Sequence, residues 1–270
     1  MIFLNQTLFS LSIISTQSQS PFLCLYGKSN IPLTSNIYNS HFSYSFSHFL
    51  FSSMPTKSLT KLQNLAISYI LNSAIYYDFD DETIIRNKNI TKTMKYDDKD
   101  DSKLVILGCI FKKCSSKSNG AGLQVIAPMS ILIHNTIFTS CISKNSFGRG
   151  AAIYVVQNSS AVDINLADGM ADKLDVQYCC FDECYGTDNF QFGACLYAAA
   201  ENTTLFYSSS VMCSPQNYRS NGAQYDLQSL NVVSKSVNIT SGYSNYCGGI
   251  EYRYAITGYF IHQTLTNLTA

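Results

Sequence analysis

The amino-acid sequence predicts an all-β chain wound as a right-handed parallel β-helix, and three observations carry that prediction. A segment recurs without gaps when aligned on Phe111, Phe138 and Phe181: LVILGCIFKKC (104–114), ILIHNTIFTSC (131–141) and LDVQYCCFDEC (174–184). A glycine-led segment follows each copy, GAGLQV at Gly120, GAAIYV at Gly150 and GACLYA at Gly193, with GAQYDL at Gly222 and a weakened GGIEYR at Gly248. Within the copies the apolar residues alternate, Leu104 with Ile106, Ile131 with Ile133, Leu174 with Val176, so one side of each strand faces a core.

Successive glycines lie 30, 43, 29 and 26 residues apart. A unit of this length holding two short strand-like segments cannot close its own core, but stacked copies can. Helical repeats of similar period need unbroken 3.6-residue patterns, which these units lack. The 43-residue spacing marks an insertion, placed near 157–173 in QNSSAVDINLADGMADK. A fourth, weaker copy, TTLFYSSSVMC (203–213), keeps Leu205 and Cys213 but has Ser210 where the phenylalanine stands. The stack predicted for 103–270 has about five coils. In it Phe111, Phe138 and Phe181 form one ladder and Cys114, Cys141, Cys184 and Cys213 a second, while the glycines mark bends with positive φ or close backbone approach.

Residues 1–102 read differently. The first 20 form at best a poor signal segment, with no basic start and no clear cleavage site. Residues 28–58 show no stable period. Leu59, Leu62, Leu65, Ala66, Tyr69 and Ile70 fall at helical spacing, which predicts an amphipathic helix over 59–74 capping one end of the stack. DFDDETIIRNKNITKTMKYDDKDD (78–101) reads as a solvated acidic linker, since it lacks the spacing and glycine of a calcium loop. Apart from the helix the region is expected to be irregular, with a first strand at the start and degenerate strands within 28–58 as alternatives.

Composition narrows the function. The 18 basic and 18 acidic residues balance, which disfavours nucleic acid or an anionic membrane as partner. No apolar run reaches the length of a spanning helix. Ten cysteines occur without any CxxC pair, and the four histidines (His41, His48, His134, His262) stand apart from them, so neither a metal nor another cofactor is expected. The corner cysteines read as buried thiols or as inter-coil disulfides. His134 is predicted to point outward, opposite Leu107 and Gln177, leaving no base for a nucleophilic cysteine. Sequons at Asn5, Asn89, Asn158, Asn202, Asn238 and Asn267 fit passage through a secretory pathway.

The pairing of an F-x-x-[small polar] turn with a G-G-A-I-like strand resembles the repeats of the polymorphic outer membrane protein family and related right-handed parallel β-helix surface proteins of protists. The resemblance covers about residues 103–255. It implies a pectate-lyase-like solenoid at the cell surface or outside the cell, with adhesin-like, non-enzymatic binding of a host or matrix protein or a glycan. The family's F-x-x-N is F-x-x-C here, and no barrel or carboxy-terminal anchor like the family's is read, so membrane attachment is not encoded in this chain. Parallel β-helices also host polysaccharide lyases and hydrolases. Such sites need clustered carboxylates, whereas most acids of the coils fall in the insertion or the turn after Phe181, and only Asp175 and Asp182 could approach each other. At the carboxyl end no charged residue follows Arg253, which predicts an open end that associates with another chain, or a truncated product.

Overall fold

The structure is a computed structural model that describes residues 6–16, 19–26, 33–53, 58–78, 103–126, 129–145, 148–156, 173–187, 193–214, 223–244 and 248–268. Among these every regular element is a β-strand. The strands form a nine-stranded first sheet, from Gln6–Phe9 to Thr257–Ile261, and a nine-stranded second sheet, from Ser12–Thr16 to Thr264–Thr266. An eight-stranded third sheet runs from Leu23–Tyr26 to Ile250–Arg253. All pairings within them are parallel, each strand lying between its counterparts one rung down and one rung up. This is a right-handed parallel β-helix, the hand that parallel crossovers adopt.

The rung follows from a simple rule of phase. In the copy at 104–114 the inward side chains are Leu104, Ile106, Cys109, Phe111 and Cys114, all fully buried. Their spacing is therefore 2, 3, 2, 3. Each step of 3 spans one residue in the left-handed conformation, Gly108 (φ 60°) and Lys113 (φ 53°), which turns the chain and restores the inward phase. The same two corners recur along the stack. The first is occupied by Ser10, Asn39, Asn64, Gly108, Asn135, Tyr178, Tyr207, Ser236 and His262, and the second by Tyr44, Tyr69, Lys113, Ser140, Glu183, Met212, Ser241 and Asn267. Left-handed backbone disfavours residues with a Cβ. The ladder holds it in place, because corner amides keep donating to the next rung: Asn135 N to Gln177 O at 3.0 Å, Tyr178 N to Phe206 O at 3.0 Å and Glu183 N to Val211 O at 3.0 Å.

The phase rule explains where the sequence reading of residues 1–102 failed. The expected capping helix at 59–74 is two strands, Ser58–Gln63 and Ala66–Ile70, joined by left-handed Asn64. Its inward residues Thr60, Leu62, Leu65, Ile67 and Ile70 are buried at the spacing 2, 3, 2, 3, and the steps of 3 imitate helical periodicity. The region expected to be irregular supplies nine strands, Gln6–Phe9 through Ile75–Asp78, which make three further rungs of the same stack. Six first-sheet strands lie from Lys103 onward, one more than the coils expected. The pairing crosses the acidic segment: Leu62 aligns with Ile106 and Ile75 with Leu123. The acidic linker and the insertion near 157–173 lie outside the described residues but for their boundary residues Asp78 and Lys173, and Ile131 aligns with Leu174 and Ile153 with Leu196 across the latter.

The ladders fill the core. Phe111 and Phe138 stack with ring centroids 4.8 Å apart and planes within 6°, and Phe138 and Phe181 at 5.2 Å and 7°. Where Ser210 interrupts the column in register with Phe181, Tyr225 of the third sheet packs edge-on against Phe181 at 5.7 Å. Cys114, Cys141, Cys184 and Cys213 are buried free thiols, which closes the alternative of disulfides in this structure. Their sulfurs make weak bonds to main-chain oxygens, Cys184 Sγ to Phe138 O and Cys213 Sγ to Phe181 O, both at 3.4 Å. At the first corner thiols alternate with hydroxyls. Thr136 Oγ1 accepts from Cys109 N at 3.4 Å, and Ser208 Oγ accepts from Cys179 N at 3.2 Å.

Gly120, Gly150 and Gly193 have φ of 57°, 54° and 61°, and an added Cβ would run into the carbonyl three residues on. Gly248 does not share this conformation; its neighbour is the Leu268 side chain. Gly222 lies outside the described residues.

Candidate binding face

Since inward positions are given to the core, chemistry falls to the corners and outer faces. The first corner places successive residues directly above one another, so side chains that cannot turn inward form exposed columns. Tyr178 and Tyr207 stack there at 5.0 Å with planes 11° apart, and remain 51% and 42% exposed. His134 meets Tyr178 edge-on at 5.1 Å, and Lys235 Nζ lies 5.6 Å over the Tyr207 ring. His134 aligns with Leu107 and Gln177 and is half-buried on the outer side of its strand, as the sequence predicts. At the second corner Tyr44 and Tyr69 stack at 4.5 Å, with Lys113 Nζ 5.3 Å over Tyr69.

The outer column of the third sheet runs in register through Phe51, Tyr76, Gln124, Tyr154, Tyr197, Asp226 and Glu251. Its aromatic lower part includes His48, 5.0 Å from Tyr76; burial lowers the His48 pKa, against the pull of its 2.7 Å bond to Ser73 O. Higher up, Tyr154 and Tyr197 stack at 5.3 Å, and the Arg149 guanidinium lies 5.0 Å over Tyr197 while Nη1 donates to its hydroxyl at 2.9 Å. Burial lifts the Tyr197 phenol to about 12.

The top of this column is charged. Asp226 is fully buried, and burial lifts its carboxyl to about 6 against the opposing pull of Arg253. Arg253 Nη2 lies 3.7 Å from Asp226 Oδ2, while the same guanidinium holds Glu251 with bonds of 2.7 and 2.8 Å. Gln228 Nε2 donates to Asp226 Oδ2 at 3.3 Å; Asp226 Oδ1 finds no hydrogen-bond partner among the described residues. A carboxyl able to change charge near pH 6 thus sits beside a second one that an arginine already neutralises. Asp175, weighed with Asp182 as a candidate acid pair against the preferred reading of a solvated turn, pairs with Lys173 at 2.8 Å.

The sequence-predicted residues are thus mostly framework: the phenylalanines, cysteines and the glycines at 120, 150 and 193 build rungs. Of the sequons, Asn238 and Asn267 are exposed, Asn202 is partly buried with Oδ1 accepting from Asn231 Nδ2 at 2.9 Å, and Asn5, Asn89 and Asn158 lie outside the described residues. The tyrosine columns went unread, although the repeat alignment contains their signal: the fifth position of the four copies is Gly108, Asn135, Tyr178 and Tyr207. Gly and Asn favour left-handed backbone, and a tyrosine at that phase must point outward.

Among the described residues no helix is long and apolar enough to cross a membrane, and no group of three or more His, Cys, Asp or Glu is placed to hold a metal ion. No family model, curated protein or solved structure matches this chain.

Proposed function

We propose that this chain is a non-enzymatic binding protein of the adhesin type, at the cell surface or secreted, whose corner columns bind a glycan chain. The observation that carries this reading is the exposed stack of Tyr178 on Tyr207 with His134 and Lys235 at its sides. Tyrosine offers an apolar ring flank and a polar hydroxyl, and a carbohydrate presents both C–H faces and hydroxyls to match. The pitch of about 5 Å set by the rungs is close to the length of one sugar residue, so a linear glycan can repeat its contacts along the axis. Charge balance supports a neutral ligand over a polyanion.

A second reading, a carbohydrate-active enzyme, is favoured by the cluster in which Arg253 joins the carboxylates of Glu251 and Asp226 on the outer column of the third sheet. One experiment separates the two: a glycan array probed with the purified chain, with cleavage of any bound glycan followed in parallel. The binding reading expects retention without cleavage, lost in the Tyr178→Ala, Tyr207→Ala double variant and kept in Asp226→Asn. Cleavage abolished by Asp226→Asn would establish the enzyme instead. No retention of any glycan by the wild-type chain would overturn both.

A further inference from the structure

The balance of charge over the whole sequence hides an uneven distribution along the stack. Described residues 33–156 hold seven lysines and arginines and one acid, Asp78, whereas described residues 173–253 hold six acids and three bases. The acids of 79–102 join the stack at Asp78, where a strand of the third sheet ends, and at Lys103, where a strand of the first begins. Within these basic rungs the second corner carries Tyr44, Tyr69 and Lys113 in succession, all in left-handed backbone, with φ of 58°, 56° and 53°. On the same rungs the first corner is Asn39, Asn64 and Gly108, the residue types that left-handed backbone favours. Asn or Gly would serve the turn at the second corner equally well, so the fold itself does not call for large side chains there. Strain kept at three consecutive rungs points to a use for the side chains that cause it.

Those side chains stand together on the outside. Beside the Tyr44–Tyr69 stack, two residues on from each tyrosine, Phe46 and Leu71 are exposed as well, and Leu71 N donates to Ser45 O at 2.9 Å, which keeps the two rungs aligned. Above this apolar strip lies positive charge. Lys113 Nζ is 5.3 Å over the Tyr69 ring, and exposed Lys112 pairs in register with Ser68, the neighbour of Tyr69. Among the described residues no carboxylate forms an ion pair with either lysine. The first acid along the corner, Glu183, stands two rungs beyond Lys113 and accepts from Ser140 Oγ at 3.2 Å. The charged groups of this surface are thus two ammoniums, with two phenol hydroxyls able to donate beside them.

We propose that this corner is a second saccharide site, separate from the Tyr178–Tyr207 stack, and that it takes an acidic sugar. The carboxylate or sulfate ester of that sugar meets Lys112 and Lys113, and the C–H flank of its ring lies along Tyr44, Tyr69 and Phe46. The inference rests on the reading of the chain as a glycan-binding protein. A bare anion would leave the apolar strip without a partner, and an uncharged sugar would leave the two lysines without one. The site is local, so it is compatible with a chain whose overall charge is balanced and which therefore has no field to gather polyanions in general.

Binding of polygalacturonate, dextran sulfate and uncharged dextran to the full chain, read by biolayer interferometry at low and high salt, tests the site. At least one acidic polymer is expected to bind where dextran does not, the comparison of the two telling carboxylate from sulfate, and binding is expected to fall as salt rises. Lys112→Gln combined with Lys113→Gln is expected to weaken it about tenfold or more. Tyr44→Ser combined with Tyr69→Ser is expected to weaken it at unchanged charge; serine is a residue this corner already accepts, at Ser140. Circular dichroism confirms the fold of each variant, and the lysine variant decides alone if the serine variant does not fold. Tyr178→Ala combined with Tyr207→Ala is expected to leave acidic-polymer binding unchanged, while the lysine variant leaves retention of neutral glycans unchanged, so failure of this site is told apart from failure of the glycan-binding reading. Absence of binding to both acidic polymers, full binding by the lysine variant, or equal capture of single-stranded DNA or phosphatidylserine vesicles would overturn the proposal.

Discussion

Phe138 lies between Phe111 and Phe181 with its ring parallel to both, 4.8 Å from the one and 5.2 Å from the other, fully buried at the centre of the stack. Three strands of the second sheet hold it there through main-chain pairing in register. The neighbouring rings cannot collapse into a hole without breaking that register. Phe138→Ala is therefore expected to cost about 3–5 kcal/mol, read from urea melts. A loss under about 1 kcal/mol would mean that the column does not bear on the core.

Tyr178 combines a left-handed backbone (φ 54°) with an exposed side chain. Alanine and glycine both remove the stack on Tyr207, but glycine also removes the Cβ that disfavours this conformation. Tyr178→Gly is expected to be more stable than Tyr178→Ala by about 1 kcal/mol in thermal melts. Equal stabilities would show that the corner does not hold the residue left-handed.

Asp226 makes stability depend on pH in an uncommon direction for an acid. Its folded pKa of about 6 lies above the ordinary 3.8, so between those values the folded chain binds the proton more tightly than the unfolded chain. Stability contributed by this group falls as pH rises from about 4 through about 6, by on the order of 3 kcal/mol for a two-unit shift. Asp226→Asn is expected to lose that fall, so urea melts of the two chains at pH 4 and pH 7 should diverge. Parallel pH profiles would count against a buried carboxyl that protonates on folding.

The buried thiols should be chemically silent. Burial pushes Cys109 up to about 11 and Cys179 up to about 12 and holds Cys213 well above the usual thiol range. Hydrogen bonds with the Cys114 and Cys184 thiols, with burial behind them, hold Cys141 there. The same thiol chain pulls Cys184 down against burial, so that Cys184 is protected by its inaccessibility alone. Only thiolates alkylate readily. Among the described cysteines exposed Cys24 is expected to react with iodoacetamide at neutral pH, while Cys109, Cys114, Cys141, Cys179, Cys184, Cys195 and Cys213 require denaturant. Mass spectrometry of labelled peptides reads the result, and fast native labelling at Cys141 or Cys184 would show that the ladder is open.

From Lys103 onward the repeating unit and its inward ladders are legible in the amino-acid sequence alone. There the apolar residues sit in strict phase around recurrent Phe and Cys, and a one-residue slip would turn every one of them outward. Ile110 and Ile137, just before the phenylalanines, show the other side of that phase: apolar by type, they stand on the outer face, exposed.

The tertiary structure decided the rest. In residues 6–78 Ser35, Ser45 and Thr60 take inward positions among the large apolar residues, so hydrophobicity marks the phase poorly, and the step of 3 at each corner reads as a helix. The rungs there become visible when each strand is laid on its neighbour, because pairing supplies the energy that local sequence does not. The candidate face has the same origin. Tyr178 and Tyr207 stand 29 residues apart in the chain, and Asp226 and Arg253 27 apart; only winding by a full rung brings them together.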